Sequence, residues 1–374
     1  AIVIYIAANS PRHEGPKSES LQQAEPRGAV TDFILENVQP DNIRTFLREL
    51  TAKPHLGGTP AELHTAHYTA NTWREQGLDD VTMVPYEVLL SYPDKDIPNM
   101  VRLMDTTSGK VLWESTPRQK PLYAPEEESD EVPFNFNSYS ATANVTGELV
   151  YVHYGRVEDF DYVEHVGVTV KGRIVLARYG QIFRANIAQF AEERGALGLI
   201  LFSDPADYAP RGTTEDQVYP NTVFMPPSAV ALGTAKLLDG DPLTPYYPAI
   251  ESAYHIPEEE AAIPKIPVQP ISYEDAYILL DNLEGRRGPR EWQGGMNVTY
   301  RPGPTQANRH INLDVLTSNK HVTIHNVIAV IRGNVEPVPE DYRSFYISID
   351  RYVLLGNHRD AWIFGSVDPS SGSA

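Results

Sequence analysis

The sequence predicts an α/β protein organised in more than one domain, and three observations carry that expectation. Short β-branched and apolar runs bounded by Gly and turn residues recur along the chain, at 149–153, 174–179, 199–203, 327–331 and 352–355. Stretches of helical periodicity stand among them, at 41–50 and 60–77. Between about 93 and 320 the character changes, with Pro-rich loops between short strands, as a separate domain would show. A chain of 374 residues has room for two or three domains.

In chain order, Ala1 to Ala8 is apolar but far short of the roughly 20 residues that span a bilayer. It reads either as a strand or as the outer end of a signal anchor. Residues 9–30 are rich in Pro, Ser, Glu and Arg without periodicity, and read as a stalk or linker, with 1–26 set apart as the membrane-proximal segment. Asp41 is placed to cap a helix with Ile43, Phe46, Leu47 and Leu50 on one face. A second helix follows the Gly57-Gly58-Thr59-Pro60 turn, its face made by Leu63, Ala66, Ala70 and Trp73, and Gly77 ends it. His64 and His67 stand three apart on that helix, but no acidic third ligand is near in sequence and a polar face accounts for them.

Val81 to Leu90 is strand-like, and the turn residues of 91–98 mark a domain boundary. Beyond a segment loaded with Pro and Glu between Pro117 and Pro133, strands fall at 149–153, 174–179 and 199–203. A helix before the last of them carries Ile187, Phe190 and Ala191, closed by Gly195. Strand, helix and strand make a right-handed crossover unit. The Gly pattern that cradles phosphates is absent, so this is not a nucleotide-cofactor fold. Val327 to Ile331 begins a buried strand, 344–349 alternates as another, and 352–355 is expected beside 327–331 as a buried strand ended by Gly356 and Asn357.

Composition excludes some chemistry. The net charge of −19, from 31 basic and 50 acidic residues, argues against a nucleic-acid partner. No cysteine is present, so disulfides and thiolate ligands are excluded, and His and carboxylates remain as strong metal ligands. The sequons Asn144-Val-Thr146 and Asn297-Val-Thr299 are candidate glycosylation sites of an extracytoplasmic domain.

The chemistry is expected at the end of the chain. His358 and Asp360 follow a strand's C-terminal edge, the edge at which open α/β sheets bind ligands, and Asp368 comes after a further turn. One His with two carboxylates suits zinc. A carboxylate bridges two metals, and a second, hydrogen-bonded to the ring's other nitrogen, holds the His tautomer.

The run Asn357-His-Arg-Asp-Ala-Trp-Ile-Phe-Gly-Ser-Val-Asp-Pro-Ser-Ser-Gly372 closely resembles the first metal-ligand segment of the glutamate carboxypeptidase and transferrin receptor family of co-catalytic zinc peptidases. The resemblance extends from about residue 27 through Lys53-Pro-His-Leu-Gly-Gly-Thr59, Tyr86-Glu-Val-Leu-Leu-Ser-Tyr-Pro93, Ser203-Asp-Pro-Ala-Asp-Tyr208, Gly240-Asp-Pro-Leu-Thr-Pro245 and Ile266-Pro-Val-Gln-Pro-Ile271. It implies a zinc-exopeptidase mixed sheet with helices on both faces, its parts at 27–92 and 321–374, interrupted by a protease-associated α+β domain at 93–320. It also implies that His358 is a ligand of one zinc, Asp368 the carboxylate bridging two, Asp360 the support of the histidine, and Arg184 the group that binds a substrate's terminal carboxylate. Thr244 and Tyr247 match residues that help hold a structural calcium, although the acidic partners are missing.

The same resemblance implies a type II membrane-anchored, glycosylated homodimer in the secretory pathway, on the extracellular side of the plasma membrane, acting on small peptides. The family's chain runs on for about as much again, with the general-base glutamate and further ligands. A chain ending at Ala374 is therefore expected to hold an incomplete peptidase domain and to be inactive alone. Phe224 stands where acidic-dipeptide enzymes have an asparagine, and Val338 to Ile349 is an insertion relative to the family. The competing expectation is a non-catalytic binding protein of the transferrin receptor kind, against which His358 and Asp368 argue.

Overall fold

The computed structural model describes residues 2–6, 27–123, 125–332 and 353–363. The chain forms two compact units, one from 1–86 and 323–374, the other from 87–322.

In the first unit, strand β1 (Ile2–Ile6) precedes helices α1 (Arg27–Asn37), α2 (Pro40–Leu50) and α3 (Pro60–Glu75). The long strand β2 (Asp79–Pro93) then leads into the second unit. The linker reading of 9–30 runs too far, since α1 already starts at Arg27. Asp41 does not cap α2. Gln39 is the N-cap and Pro40 opens the helix, because a fixed φ and a missing N–H cost nothing in a first turn. Asp41 instead pairs with Arg44 at 2.5 Å. Helix α3 starts as its sequence suggests, with the Thr59 hydroxyl accepting the Glu62 N–H.

The second unit opens with β3 (Met100–Asp105), β4 (Val111–Glu114), β5 (Asn137–Ser138), β6 (Ala143–Gly147) and β7 (Leu149–Tyr151). Next come α4 (Val157–His165), β8 (Ile174–Arg178), α5 (Arg184–Glu193), β9 (Gly198–Phe202) and α6 (Pro205–Tyr208). It closes with β10 (Gly233–Thr234), β11 (Val268–Ile271), α7 (Tyr273–Asp281) and β12 (Arg309–Val315). Strand β13 (Thr317–Ile331) returns to the first unit, where β14 (Val353–Asn357) follows.

Strands β11, β9, β8 and β7 form, in that order, a parallel sheet. All five residues of β8 and of β9 are buried, which is why both read as unbroken apolar runs. An antiparallel sheet, β4-β3-β12-β6, packs against it, and here alternation shows: Ile311, Leu313 and Val315 of β12 are buried while their neighbours are half-exposed. Gly198 is the point of closest approach. A methyl added there would lie 2.7 Å from the Leu313 side chain.

The first unit's sheet has the order β14-β1-β13-β2. The apolar start of the chain is thus a strand, parallel to β13 with Ile4 opposite Ala329, and antiparallel to β14 with Ile4 opposite Leu355. Three expectations fail at this point. Strand β14 is not the neighbour of β13, because β1 lies between them. Nor is it buried, since at the sheet's edge Leu354 and Leu355 are 63% and 59% exposed. The strand also runs through Gly356 and Asn357 instead of ending before them. Ala66 and Ala70 of α3 pack on Val327 of β13, with Trp73, Val81 and Met83 around them. The strand expected at 344–349 lies outside the described residues.

Candidate functional site

His358 is the first residue past β14, with its side chain 55% exposed. Its Nδ1 lies 3.1 Å from the Asp360 carbonyl oxygen and 3.4 Å from Asp360 Oδ1. Burial works to raise the Asp360 carboxyl, but the hydrogen bond and charge of His358 outweigh it and hold Asp360 below the usual carboxylate range. The two residues that the sequence pairs as ligand and support therefore do meet. Asp368 lies outside the described residues.

Arg359, between them, points into the protein and is 2% exposed. Its Nη2 pairs with Glu62 and also donates to the His325 carbonyl at 3.3 Å, and its Nε donates to Thr65 Oγ1 at 3.0 Å. Its own carbonyl faces His55 Nε2 at 2.9 Å, while His55 Nδ1 faces the Lys53 carbonyl at 2.7 Å. The Ala361 N–H donates to the His55 carbonyl at 3.2 Å, completing an antiparallel bridge. The motif 53–59 is thus a seat for 358–361.

Burial pushes the Glu62 carboxyl up against the pull of Arg359, and burial likewise lowers the Arg359 guanidinium. A pair with such costs on both sides adds little net stability, yet once formed it fixes where the chain lies. It holds the peptide between His358 and Asp360 in one place.

The buried face of α3 includes Ala66 and Ala70 of the expected apolar set, with Leu63 and Trp73 half-buried, but it also carries polar residues that the pattern did not assign to it. Glu62, Thr65, Ala66, Thr69 and Ala70 are buried, at helical spacing. Both threonines satisfy their hydroxyls on the preceding turn, Thr65 on the Glu62 carbonyl at 2.8 Å and Thr69 on the Thr65 carbonyl at 2.9 Å. His64 and His67 are exposed, with His64 Nε2 3.9 Å from Glu49, as a polar helix face places them. Glu62, Thr65, His55 and Arg359 are the residues that sequence reasoning missed. The one available signal was an arginine placed between two candidate site residues.

In the second unit, Arg184 is the first residue of α5, after the N-cap Phe183. A cation there opposes the helix dipole, so helix stability does not explain it. The guanidinium lies 5.4 Å from the ring centroids of both Tyr179 and Phe183, and among the described residues its buried Nε has no hydrogen-bond partner. The Tyr179 hydroxyl accepts from Asn137 at 3.3 Å and donates to the Ala231 carbonyl at 3.1 Å, so the ring is fixed. Phe224 lies under the Arg211 guanidinium at 5.2 Å.

Thr244 and Tyr247 share one turn, closed by the Tyr247 N–H on the Thr244 carbonyl at 3.1 Å. Asp241 spends one carboxylate oxygen on the Leu89 N–H at 2.8 Å and the other on the Thr244 hydroxyl at 3.1 Å, while Tyr247 is 73% exposed. Among the described residues no group of three or more His, Asp or Glu is gathered to hold a metal ion. The carboxylates on which a calcium cage draws are thus not assembled at that turn. His358, oriented by a carboxylate and open to solvent, fits a single zinc ligand but not a closed site. Asn144 is exposed on β6, its Oδ1 accepting from Asn312 at 2.7 Å, and Asn297 is exposed in a loop. Among the described residues no helix is long and apolar enough to cross a membrane.

Residues 145–238 match the PA domain family, a span that includes β7 to β9 and Arg184. The chain is 39% identical over 350 residues to the glutamate carboxypeptidase 2 homolog of Caenorhabditis briggsae, covering 91% of this chain and 44% of that protein. It is 34% identical over 356 residues to mouse aminopeptidase NAALADL1, covering 92% of this chain and 46% of that one. To the probable glutamate carboxypeptidase AMP1 of Arabidopsis thaliana it is 33% identical over 349 residues, covering 91% and 43%. The chain thus spans less than half the length of these relatives. An aminopeptidase from Aneurinibacillus sp. strain AM-1 superposes with a TM-score of 0.41 at 17% identity, over 81% of this chain and 50% of that one. Along nine-tenths of its length the chain is similar to glutamate carboxypeptidase-like proteins, and the match to the PA domain family lies within that span.

Proposed function

We propose that this chain is part of a zinc-dependent exopeptidase of the glutamate carboxypeptidase type, which removes C-terminal residues from small peptides. The observation that carries the reading is the His358–Asp360 pair, held by the buried Arg359–Glu62 clamp in a chain 39% identical to a glutamate carboxypeptidase homolog. His358 would give a metal one imidazole nitrogen, and Asp368 a carboxylate to bridge two. Zinc, when bound, acidifies a water to a pKa of about 7 and polarises a carbonyl. Asp360 fixes the ring of His358 and strengthens its donor nitrogen. Arg184 supplies a planar fork of donors that suits a peptide's terminal carboxylate.

On this reading His358 and Asp368 are the ligands the chain contributes. Two protein ligands hold zinc weakly, and the chain by itself hydrolyses nothing. The two sequons carry glycans, an N-terminal anchor places the protein outside the plasma membrane, and the active form is a homodimer.

Equilibrium dialysis against zinc tests the site. The purified chain is expected to retain little zinc, and His358→Ala to lose what is retained. Two tightly held zinc ions with peptide hydrolysis would overturn the inactivity, and binding unchanged by His358→Ala would remove the ligand assignment.

A further inference from the structure

Gly233 lies directly against the Arg184 guanidinium. A methyl built on Gly233 would stand 2.4 Å from Arg184 Nη1, 2.5 Å from Cζ and 2.9 Å from Nε, closer than any real Cβ contact. The backbone does not ask for glycine at this position, because Gly233 is not among the residues with positive φ. What excludes a side chain is the space above its Cα, and Arg184 fills that space. The strand pairing builds the rest of the seat. Gly233 of β10 is in register with Asn137 of β5, and Asn137 in turn anchors the Tyr179 hydroxyl. The guanidinium therefore rests on a bare peptide floor between two aromatic walls, its buried Nε without a hydrogen-bond partner among the described residues.

We infer that Gly233 is a positioning residue for recognition of the substrate's terminal carboxylate, acting through Arg184; the inference rests on the proposed role of Arg184. A planar fork gains over a point charge only when its plane is set. A floor without a side chain, together with the rings, sets it. Any Cβ at 233 displaces the far end of Arg184, since that flexible tip can move and the β10–β5 backbone cannot.

The test uses the whole chain and two probes, an N-acetyl dipeptide with a free C-terminal carboxylate and the same dipeptide as its C-terminal amide, with binding followed by calorimetry. The native protein is expected to prefer the carboxylate. Gly233→Ala should lose at least about tenfold in carboxylate affinity, leave amide binding unchanged, and melt as the native protein does. In an Arg184→Lys background, where no guanidinium occupies the floor, Gly233→Ala should change nothing further. Any loss of carboxylate affinity caused by Gly233→Ala in the lysine background counts against the role of Gly233, so the proposal can be overturned even if Gly233→Ala alone does not fold. Carboxylate binding unaltered by Gly233→Ala, or an equal loss in the lysine background, overturns the role of Gly233 while leaving that of Arg184 standing. A native protein that binds both probes alike overturns both.

Discussion

Replacing Glu62 by alanine would leave the Arg359 guanidinium in the interior without its counter-charge. The side chains are 5% and 2% exposed, so water cannot take the carboxylate's place. What remains to Arg359 is one hydroxyl at 3.0 Å and one carbonyl at 3.3 Å, while among the described residues Nη1 already has no hydrogen-bond partner. Removing one member of a buried pair costs about 3–5 kcal/mol, and that cost should fall on the first unit. Glu62→Gln keeps an acceptor oxygen and should recover about 1 kcal/mol of it. Glu62→Leu with Arg359→Met removes both charges and should come back close to the native stability. Native-state hydrogen exchange read by mass spectrometry suits the test, because peptides from 60–75 and 353–363 report α3 and the His358 segment directly. A shift under about 1 kcal/mol in Glu62→Ala would refute the argument that this pair seats the site.

Further outcomes are expected elsewhere. Burial lifts the Asp275 carboxyl to about 6 despite the Thr116 N–H at 3.1 Å, from an ordinary 3.8. The folded state then holds that proton more tightly than the unfolded one, so this group's stabilisation is complete below pH 4 and is lost as pH rises through 6. The loss is about 3 kcal/mol, and urea titrations from pH 4 to 7 should show a downward slope that Asp275→Asn removes. Gly155 has φ +68° and a methyl there would stand 2.4 Å from Ile187 Cγ2, so Gly155→Ala should destabilise the second unit by about 2–4 kcal/mol in urea unfolding. If the chain passes through the secretory pathway, Asn144→Gln and Asn297→Gln should each remove one endoglycosidase-sensitive step in gel mobility, and unchanged mobility in either would exclude that sequon.

Much of the architecture is legible locally. Strands β7, β8 and β9 are apolar, β-branched runs because they are buried on both faces, and α3 announces itself by Thr59-Pro60 and its spacing. His358 could be found because it follows a strand end, and Asp360 because it lies two residues on. Other features leave no local trace. Helix α1 exposes Val30, Phe33, Ile34 and Leu35, so its apolar residues do not mark a buried face, and β1 enters the sheet between two strands that the sequence places side by side. The face of α3 that meets the site carries Glu62 and Thr65, which a hydrophobic pattern assigns to solvent.

The sequence by itself determined the alternation of elements, the change of character between about 93 and 320, and the residue types able to do metal and carboxylate chemistry. Tertiary structure alone decided that Arg359 turns inward to a glutamate 297 residues away, and that Gly233 lies under Arg184. Periodicity records which face of an element is dry, since each residue's burial acts on that residue. A pairing across the fold depends on where two distant segments are brought together, and neither segment carries the other's position.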